Sequence, residues 1–509
     1  MKYPDFPKKG EPEYKLHRRL EMIPGILTWG TLLGSFVLAF LAPVAAVIII
    51  IIYDLYWLIK VITITVHSIL AYGRMKYAIK VDWLRRCRRL GERDGLGLDN
   101  VYHLIVIPYY SEGLEILEPA IRSITESNYP LKNVIVSMSS EERAGKEANQ
   151  RQEVLKKRYG HHFKAFLTNI HQDQSGEMKI KANNANCAAR KAVAYLKTEK
   201  IDLDKVIASN FDCDTCIQEQ YLASVTYNFI KNQNRYRLSY QPLPMYNNNI
   251  WDAIAIVRIV ALGCSFWHMI ESTRPERLVT FSSHSMSLRA LLDVGFWQPD
   301  VISDDSAIFW QCYLYYDGDY EVQPLYIPVS MDATLAGGFI KTIVNQYKQK
   351  RRWAYGIENF PRIARAFLKN KKIPFLEKSR NLFIMLEGHH SWATSSLLIL
   401  LLGWLPLIIG GNKFNETVIS HSLPMVTRNI LTVGMGGLLV SLFLSFFLIP
   451  PKPKRYSNWK YFSIVFQWLI LPFVAPLFGL PAIDSQTRLL FGKYFDSFWV
   501  SEKIRKRLK

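Results

Sequence analysis

Apolar positions follow two different patterns along the chain. Long, nearly continuous apolar runs lie before residue 61 and after residue 360, whereas short apolar runs alternate with amphipathic segments between them. A helix needs about 20 apolar residues to cross a bilayer. The long runs therefore predict membrane-spanning helices, at 24–41, 44–60, 391–410 and 430–449.

The central stretch, 100–335, has no run long enough to span a bilayer and predicts an α/β domain. Its short apolar runs are typical of buried strands, and the segments between them have helical spacing. The predicted strands are 103–107, 134–136, 163–168, 206–210 and 236–240. The predicted helices lie near 114–127, 147–158, 181–198 and 217–231. Sheets of this kind bind ligands beyond the carboxyl ends of their strands.

Charges beside the C-terminal apolar runs predict the topology. Segment 451–460 holds four cations and five follow residue 501, whereas the loop 411–429 holds two. Because cationic loops remain cytosolic, both cationic segments are predicted to lie in the cytosol. The apolar run 461–482 is then a re-entrant or interfacial hairpin, since its three prolines each disfavour a continuous helix by ~3 kcal/mol. A fifth span with an outside tail is the alternative.

These patterns divide the chain into seven segments. The segments are a peripheral cytosolic N-terminus (1–23), two transmembrane helices with the start of an interfacial helix (24–72), a basic interfacial linker (73–99), the α/β domain (100–335), interfacial helices (336–383), transmembrane helices with the hairpin (384–482) and a cytosolic basic tail (483–509).

The net charge of +20 is compatible with nucleic acid or with an anionic membrane surface. Its cations follow the flanks of the apolar runs rather than an aromatic-lined groove, so we predict lipid contacts and no nucleic acid. We expect an integral protein of the plasma membrane whose α/β domain faces the cytosol. The six cysteines lack the spacing of a disulfide framework, and reduced thiols are expected.

The first candidate for chemistry is 208–216, A-S-N-F-D-C-D-T-C, where a predicted strand ends. Alternate side chains of an extended segment share a face, so Asp212 and Asp214 are expected to reach one hard cation while Cys213 points away. Asp-x-Asp also occurs by chance in many surface turns. Its position at the end of a strand favours a metal site.

Further polar motifs follow one another in order. P-Y-Y-S-E ends at Glu112, S-G-E-M-K-I-K ends at Lys181, and I-S-D-D-S and Q-K-R-R-W lie at 302–306 and 349–353. This order resembles the membrane-embedded family 2 glycosyltransferases, which include the cellulose, chitin and hyaluronan synthases. F-W-V-S-E-K at 498–503 is similar to the F-x-V-T-x-K gating loop of cellulose synthases, with serine in place of threonine.

The resemblance implies a GT-A type nucleotide-sugar-binding domain inserted between N-terminal and C-terminal transmembrane helices. It implies Mg²⁺ or Mn²⁺ on Asp212 and Asp214, where the cation neutralises charge on the leaving diphosphate. Asp305 matches the general base, and repulsion from Asp304 is expected to raise the pKa of one carboxyl of the pair. The alternative is that the pair only caps the helix that follows.

Substrate-binding residues are implied in the same way. Gln349, Arg352 and Trp353 stand at i, i+3 and i+4 and share one helix face. Arg352 would pair with the diphosphate and Trp353 would lie against the acceptor sugar, although an interfacial helix with a snorkelling arginine explains much of this composition. The other implied substrate-binding residues are Glu112, Lys181, Asp304, Phe498, Val500 and Lys503.

The sequence departs from the family after the second strand, where an aspartate usually holds the nucleotide. Here the chain reads V-I-V-S-M-S-S-E-E-R, and Glu141 or Glu142 is left to do that work. A uridine diphosphate sugar is the favoured donor, with guanosine diphosphate or another carrier as alternatives.

The leading hypothesis is an inverting, metal-dependent glycosyltransferase that extends a polysaccharide at the membrane and couples synthesis to translocation. The first alternative is transfer of one sugar to a lipid carrier. The second is a non-catalytic receptor or transporter whose α/β domain only binds nucleotide. Four spans form a narrow scaffold, so a channel would need the hairpin, an oligomer or an accessory subunit.

Overall fold

A computed structural model places one mixed β-sheet between helices, with long apolar helices before and after it in the chain. The structure describes residues 1–174, 176–401, 403–474, 478–495 and 500–505. Within these ranges the strands are β1 (Tyr102–Pro108), β2 (Val134–Glu141), β3 (Ala165–His171), β4 (Val206–Asn210), β5 (Cys216–Ile217), β6 (Leu238–Met245), β7 (Ser285–Ser287) and β8 (Glu321–Ser330).

The helices of the described ranges lie on both sides of this sheet and in the apolar flanks. They are α1 (Tyr14–Leu41), α2 (Pro43–Lys80), α3 (Trp83–Leu90), α4 (Leu114–Thr125), α5 (Lys146–Tyr159), α6 (Lys181–Thr198), α7 (Tyr221–Lys231), α8 (Ala255–Ser272), α9 (Leu288–Asp293), α10 (Asp304–Tyr315), α11 (Phe339–Ala354), α12 (Asn359–Lys369), α13 (Phe375–Leu401), α14 (Leu405–Ile409), α15 (Asn412–Asn415), α16 (Val418–Leu448), α17 (Trp459–Val474) and α18 (Leu480–Leu490).

The sheet order is β3-β2-β1-β4-β7-β6-β8-β5. Strands β3, β2, β1 and β4 are parallel, β7 is antiparallel to β4 and β6, and β6 is parallel to β8. Strands β1, β2 and β4 are buried along nearly their whole length because helices cover both faces of a parallel sheet. Their carboxyl ends meet at one edge, so the residues that follow them come together there.

The predicted α/β domain is confirmed, and the predicted strands correspond to β1, β2, β3, β4 and β6. Strand β2 continues five residues beyond the predicted end at residue 136, as far as Glu141. Its second half, S-M-S-S-E, is polar but fully buried, which an apolar pattern does not reveal. Strands β5, β7 and β8 were not predicted, because two are very short and β8 carries two prolines.

Helix α6 fixes one side of the site through an alanine-rich face. Ala185, Ala188, Ala189 and Ala192 are fully buried against the sheet, where a small side chain lets the helix approach closely. The helix starts at Lys181, which therefore lies at the carboxyl edge of the parallel strands.

Four described helices are long and apolar enough to cross a membrane: α1, α2, α8 and α16. The expectation that no part of 100–335 has this property is wrong for α8, although 72% of its apolar window is buried in protein. Helix α8 packs on β6, α2 and α17, and this contact with the sheet explains its apolar composition. The predicted spans 24–41 and 44–60 lie inside α1 and α2.

The N-terminal residues are not peripheral, contrary to the expectation for 1–23. Helix α1 already begins at Tyr14, and Tyr3 is buried in the core of the α/β domain. The first 13 residues contain no apolar run that would predict this packing, and polar contacts also hold them. Arg365 of α12, for example, forms an ion pair with Glu13 (2.6 Å).

The C-terminal spans are reproduced in part. The predicted span 430–449 lies within α16, whereas 391–410 is divided between α13 and α14, and α13 is not among the described helices with span-like composition. Segment 461–482 forms α17 and the start of α18, and residues 475–477 between them lie outside the described ranges. Whether this segment is a hairpin or a span stays a prediction.

Candidate active site

A cavity of about 1490 Å³ lies at the carboxyl edge of the parallel strands. It brings together every described residue that the sequence assigned to the site, from stretches nearly 400 residues apart: Glu112, Lys181, Asp212, Asp214, Asp304, Asp305, Gln349, Arg352, Trp353, Val500 and Lys503. Phe498 lies outside the described residues. The roles given to these residues stay predictions, but their assembly in one cavity is a property of the fold.

The Asp-x-Asp segment is a turn rather than an extended continuation of β4. The strand ends at Asn210, and the chain turns at Cys213 and Asp214. The expected extended geometry of this segment is therefore wrong. All three residues line the cavity, and Cys213 also belongs to the buried apolar cluster that contains Phe211 and Ile217. The turn gives each carboxylate its own partners. The Oδ2 atom of Asp212 accepts a hydrogen bond from Ser282 Oγ at 2.6 Å.

Lys181 joins the Asp-x-Asp turn to the acidic pair. Its Nζ lies 2.6 Å from Asp212 Oδ1 and 3.1 Å from Asp305 Oδ1. Burial would lower the pKa of Lys181, but the charges of Asp212, Asp305 and Asp304 raise it well above its usual value. Burial would raise the pKa of Asp212, and the charges of Lys181 and Lys503 hold it below its usual value instead. One ammonium thus holds two carboxylates from distant segments.

Asp304 and Asp305 form the first turn of α10. Capping alone does not account for Asp305, because its two carboxylate oxygens contact Lys181 at 3.1 and 3.3 Å. Burial and the charge of Asp305 raise the pKa of Asp304 to about 7. The carboxyl of the pair whose pKa is raised is therefore that of Asp304.

The segment 500–505 packs across the Asp-x-Asp turn. Lys503 Nζ lies 2.7 Å from Asp214 Oδ2, and the Asp214 side chain is fully buried. Arg505 forms an ion pair with buried Asp332 at 2.6 Å, and the Asp332 backbone N–H donates to Asp214 Oδ2 at 2.7 Å. Burial would lower the pKa of Lys503, but the charge of Asp214 raises it above its usual value. The resemblance assigned Lys503 to the substrate, and the structure gives it a carboxylate partner.

Gln349, Arg352 and Trp353 lie on the face of α11 that lines the cavity. Gln349 Oε1 accepts a hydrogen bond from Thr334, and the Trp353 ring lies 5.8 Å from the ring of Tyr246. Burial lowers the pKa of Arg352. The helical spacing thus correctly placed three side chains on one surface.

The residues present fit a hard divalent cation at the Asp-x-Asp turn. The Oδ1 atom of Asp214 is buried and has no hydrogen-bond partner among the described residues. Two carboxylates supply the oxygen ligands that Mg²⁺ and Mn²⁺ prefer. The described residues contain no cluster of three or more His, Cys, Asp or Glu side chains able to hold a metal. Further ligands would therefore come from water and the donor's phosphates, as is usual for Mg²⁺.

The cavity also contains residues that the sequence assigned only loosely or did not reveal. Glu141, at the end of β2, lines the cavity and lies 2.5 Å from Arg143. Arg143 stacks over the ring of Tyr110 at 4.7 Å. Of the two glutamates considered after β2, Glu141 is the one that reaches the cavity.

Ser282 and Tyr246 were missed entirely. Ser282 comes just before β7, and because β7 runs antiparallel to β4, it lies beside the end of β4 and reaches Asp212. Tyr246 follows β6 and lines the cavity beside Trp353. The sequence around Ser282 and Tyr246 does not mark either as a site residue, because strand pairing brings both into the cavity. His284 and Met286 of the same segment are fully buried and do not line the described part of the cavity.

Comparison with known proteins gives a match to the family described as glycosyl transferase family group 2, over residues 211–479. No curated protein matches the sequence. Among solved structures, the chain is similar to the mannosyltransferase PcManGT from Pyrobaculum calidifontis in complex with GDP-Man and Mn²⁺. The two are 14% identical with a TM-score of 0.40, over 81% of this chain and 99% of that one.

A second similar structure is TarS 1-349 from S. aureus in complex with UDP-GlcNAc. It is 11% identical with a TM-score of 0.37, over 78% of this chain and 93% of that one. The family match alone covers more than half of the chain, and it begins immediately before Asp212. This match identifies a glycosyltransferase rather than a non-catalytic receptor or transporter. The chain belongs to glycosyl transferase family group 2.

Proposed function

We propose that the protein is an inverting, metal-dependent glycosyltransferase that adds sugars from a nucleotide diphosphate sugar to a growing polysaccharide at the membrane. The observation that carries this proposal is the cavity in which Lys181 joins Asp212 to Asp305 while the walls continue to helix α2. Sugar transfer from a nucleotide-sugar follows from family membership. The inversion, the metal and the polymeric product are the proposed parts.

The donor's diphosphate would lie beside the Asp-x-Asp turn. A bound Mg²⁺ or Mn²⁺ supplies positive charge that stabilises the leaving diphosphate. Lys181 and Arg352 face the same space and would hold phosphate oxygens by charge-assisted hydrogen bonds. Lys503 would exchange its contact with Asp214 for the diphosphate as the donor binds.

Asp305 would take the proton of the acceptor hydroxyl as that oxygen attacks the anomeric carbon. One displacement inverts the configuration at that carbon, and it needs one base and no covalent intermediate. Lys181 holds both oxygens of the Asp305 carboxylate at 3.1 and 3.3 Å and so fixes its orientation.

The nucleotide base would lie at the end of β1 and β2. Glu141 can accept hydrogen bonds from base N–H groups, and Tyr110 offers an aromatic face to the base. Glu141 and Tyr110 would thus hold the nucleotide, as the aspartate after the second strand does in most members of the family. Uridine diphosphate is the proposed carrier. Glu112, whose Oε2 accepts a hydrogen bond from the Tyr110 backbone at 2.7 Å, would fix the position of that ring.

The size of the cavity supports an extended acceptor. Its volume of about 1490 Å³ exceeds the roughly 300–1,000 Å³ of sites that enclose one small molecule. The walls carry the rings of Trp267, Trp353 and Trp392, which offer apolar faces to sugar rings. A sugar chain could therefore occupy the cavity while its end reaches the base.

A lipid-linked acceptor is the second candidate. Residues of α2 from Tyr56 to Ile64 form part of the wall, and α2 is apolar enough to cross a membrane. A lipid carrier could place its head group in the cavity from the bilayer. Four described helices are long and apolar enough to cross a membrane, and we propose that the protein lies in the plasma membrane with the catalytic domain in the cytosol.

A screen of nucleotide-sugars with size analysis of the product tests these proposals. Purified protein in lipid vesicles is incubated with radiolabelled donors and Mg²⁺ or Mn²⁺. Label in high-molecular-weight, water-soluble product supports the polysaccharide, and label in the organic extract supports the lipid carrier. Transfer from none of the donors would contradict the proposal.

A further inference from the structure

Glu358 contacts the loop that precedes the acidic pair. It ends the short 3-10 helix Tyr355–Glu358, five residues after Trp353. Its Oε1 atom accepts three hydrogen bonds, from the backbone N–H of Ile302 (2.9 Å), the backbone N–H of Ser303 (3.0 Å) and the hydroxyl of Ser303 (3.0 Å). Glu358 is not among the described residues that line the cavity, so any effect on the reaction passes through this loop.

These bonds act at the N-terminus of α10, which carries Asp304 and Asp305. The first N–H groups of a helix lack partners within the helix and need acceptors from outside. Ser303 is the N-cap of α10 and makes no side-chain cap bond within the described structure, and its hydroxyl donates to Glu358. Asn359 Nδ2 donates to the same hydroxyl oxygen at 2.9 Å. The loop is therefore held by the segment that follows α11.

The residues beside Glu358 are buried and hydrogen-bonded. Ile357 and Asn359, its two neighbours, are buried, and Asn359 Oδ1 also accepts a hydrogen bond from Tyr3. One turn later Arg362 forms two bonds to the carboxylate of Asp300, at 2.9 and 3.0 Å, at the other end of the same loop. Two acidic anchors thus hold the loop 300–303 against the start of α12.

We propose that Glu358 is a positioning residue that fixes the loop 302–303 and thereby holds Asp305 at the reacting hydroxyl. The inference rests on the proposed function, in which Asp305 is the base. Glu358 couples the acidic pair to the segment that carries Arg352 and Trp353, so donor, acceptor and base keep one geometry. A misplacement of about 1 Å at a reacting group can lower the rate by roughly 100-fold.

The test compares Glu358→Ala, Glu358→Gln and Ser303→Ala with the wild type in lipid vesicles. Glu358→Ala is expected to lower kcat by about 10- to 100-fold and leave the KM for the donor within about threefold, since donor-binding residues are untouched. Glu358→Gln keeps an acceptor oxygen and is expected to retain kcat within about fivefold. Ser303→Ala removes one of the three bonds and is expected to cause an intermediate loss.

Glu118→Ala is the matched control. Glu118 accepts hydrogen bonds from Arg158 (2.8 Å) and the hydroxyl of Tyr159 (2.9 Å) on the outer side of the domain, and it does not line the described cavity. Its removal is expected to leave kcat unchanged. A double variant, Glu358→Ala with Ser303→Ala, should lose less than the two single losses combined, because both changes remove the bond between the Ser303 hydroxyl and Glu358.

Amide hydrogen exchange over 302–306 is measured on the same proteins and does not depend on a known acceptor. Faster exchange in Glu358→Ala, with unchanged exchange in Glu118→Ala, supports the inference. Unchanged exchange in Glu358→Ala, or a kcat within twofold of the wild type, overturns it. A wild type without transfer contradicts the proposed function instead, and the exchange result then still decides whether Glu358 holds the loop. If Glu358→Ala does not fold, Ser303→Ala decides by the same measurements.

Discussion

Replacing Lys181 with methionine tests whether one buried ammonium holds the two halves of the site together. Its Nζ lies 2.6 Å from Asp212 and 3.1 Å from Asp305, and its side chain is only 11% exposed. With an effective dielectric constant of about 20, each contact gives roughly 5 to 6 kcal/mol of attraction before the cost of desolvation. Removing one partner of a buried pair has a net cost of about 3–5 kcal/mol, because the carboxylates remain without a counter-charge.

Thermal unfolding in detergent measures this cost, with Lys179→Met as the control two residues away. Lys179 lies 3.5 Å from Asp173 and is 51% exposed, and such surface pairs contribute about 0–1 kcal/mol. We expect the melting temperature of Lys181→Met to fall by several degrees and that of Lys179→Met to stay close to the wild type. Added Mg²⁺ should stabilise Lys181→Met more than the wild type, since a divalent cation restores positive charge beside Asp212.

The result that would refute this reasoning is a Lys181→Met protein that melts within about 1 °C of the wild type without Mg²⁺. Asp212 and Asp305 would then be neutralised without Lys181, and the ion pairs seen in the structure would not hold the site together. Equal losses in both lysine variants would instead indicate a general effect of surface charge.

Three further predictions concern the base, the metal and pH. Asp305→Asn should lower the rate of sugar transfer by at least about 100-fold and leave donor binding unchanged. A normal rate in this variant would show that Asp305 is not the general base. Chelation with EDTA should stop transfer and Mg²⁺ or Mn²⁺ should restore it, so full activity in EDTA would contradict the metal role. Burial raises the pKa of Glu358 from 4.5 to about 7 against the opposing charge of Arg362. The protonated Glu358 therefore contributes to the free energy of unfolding. This contribution is complete below pH 4.5 and is lost as pH rises through 7, by about 3 kcal/mol at most. The melting temperature of Glu358→Gln should thus fall less between pH 5 and 8 than that of the wild type.

Local pattern predicted the strands that carry the site because a buried parallel strand must be apolar. Strands β1 and β4 were placed within one residue, and the rule that ligands bind at carboxyl ends then selected Asp212. The helical spacing of Gln349, Arg352 and Trp353 likewise predicted one shared face. These inferences needed only the period of an element and its direction.

Pairing between distant segments could not be predicted in the same way. Ser282 reaches Asp212 across 70 residues because β7 pairs with β4, and a three-residue strand leaves no readable pattern. Strand β4 ends at Asn210 and the chain turns at Cys213 and Asp214, whereas the expected alternation of side chains assumed that the strand continued through Asp214. The tail motif identified Lys503, but its contact with Asp214 depends on how 500–505 packs on the domain.

The charges of the site explain why one carboxyl of the acidic pair has a pKa near 7. An ionised Asp304 would add a buried negative charge beside Asp305, and both burial and that repulsion oppose it. With Asp304 protonated, the charges that act on one another are equal in number: Asp212, Asp214, Asp305 and Asp332 against Lys181, Lys503, Arg352 and Arg505. A diphosphate alone or a divalent cation alone would disturb this balance. The two together add nearly no net charge, so the site favours binding the donor and its cation as a pair.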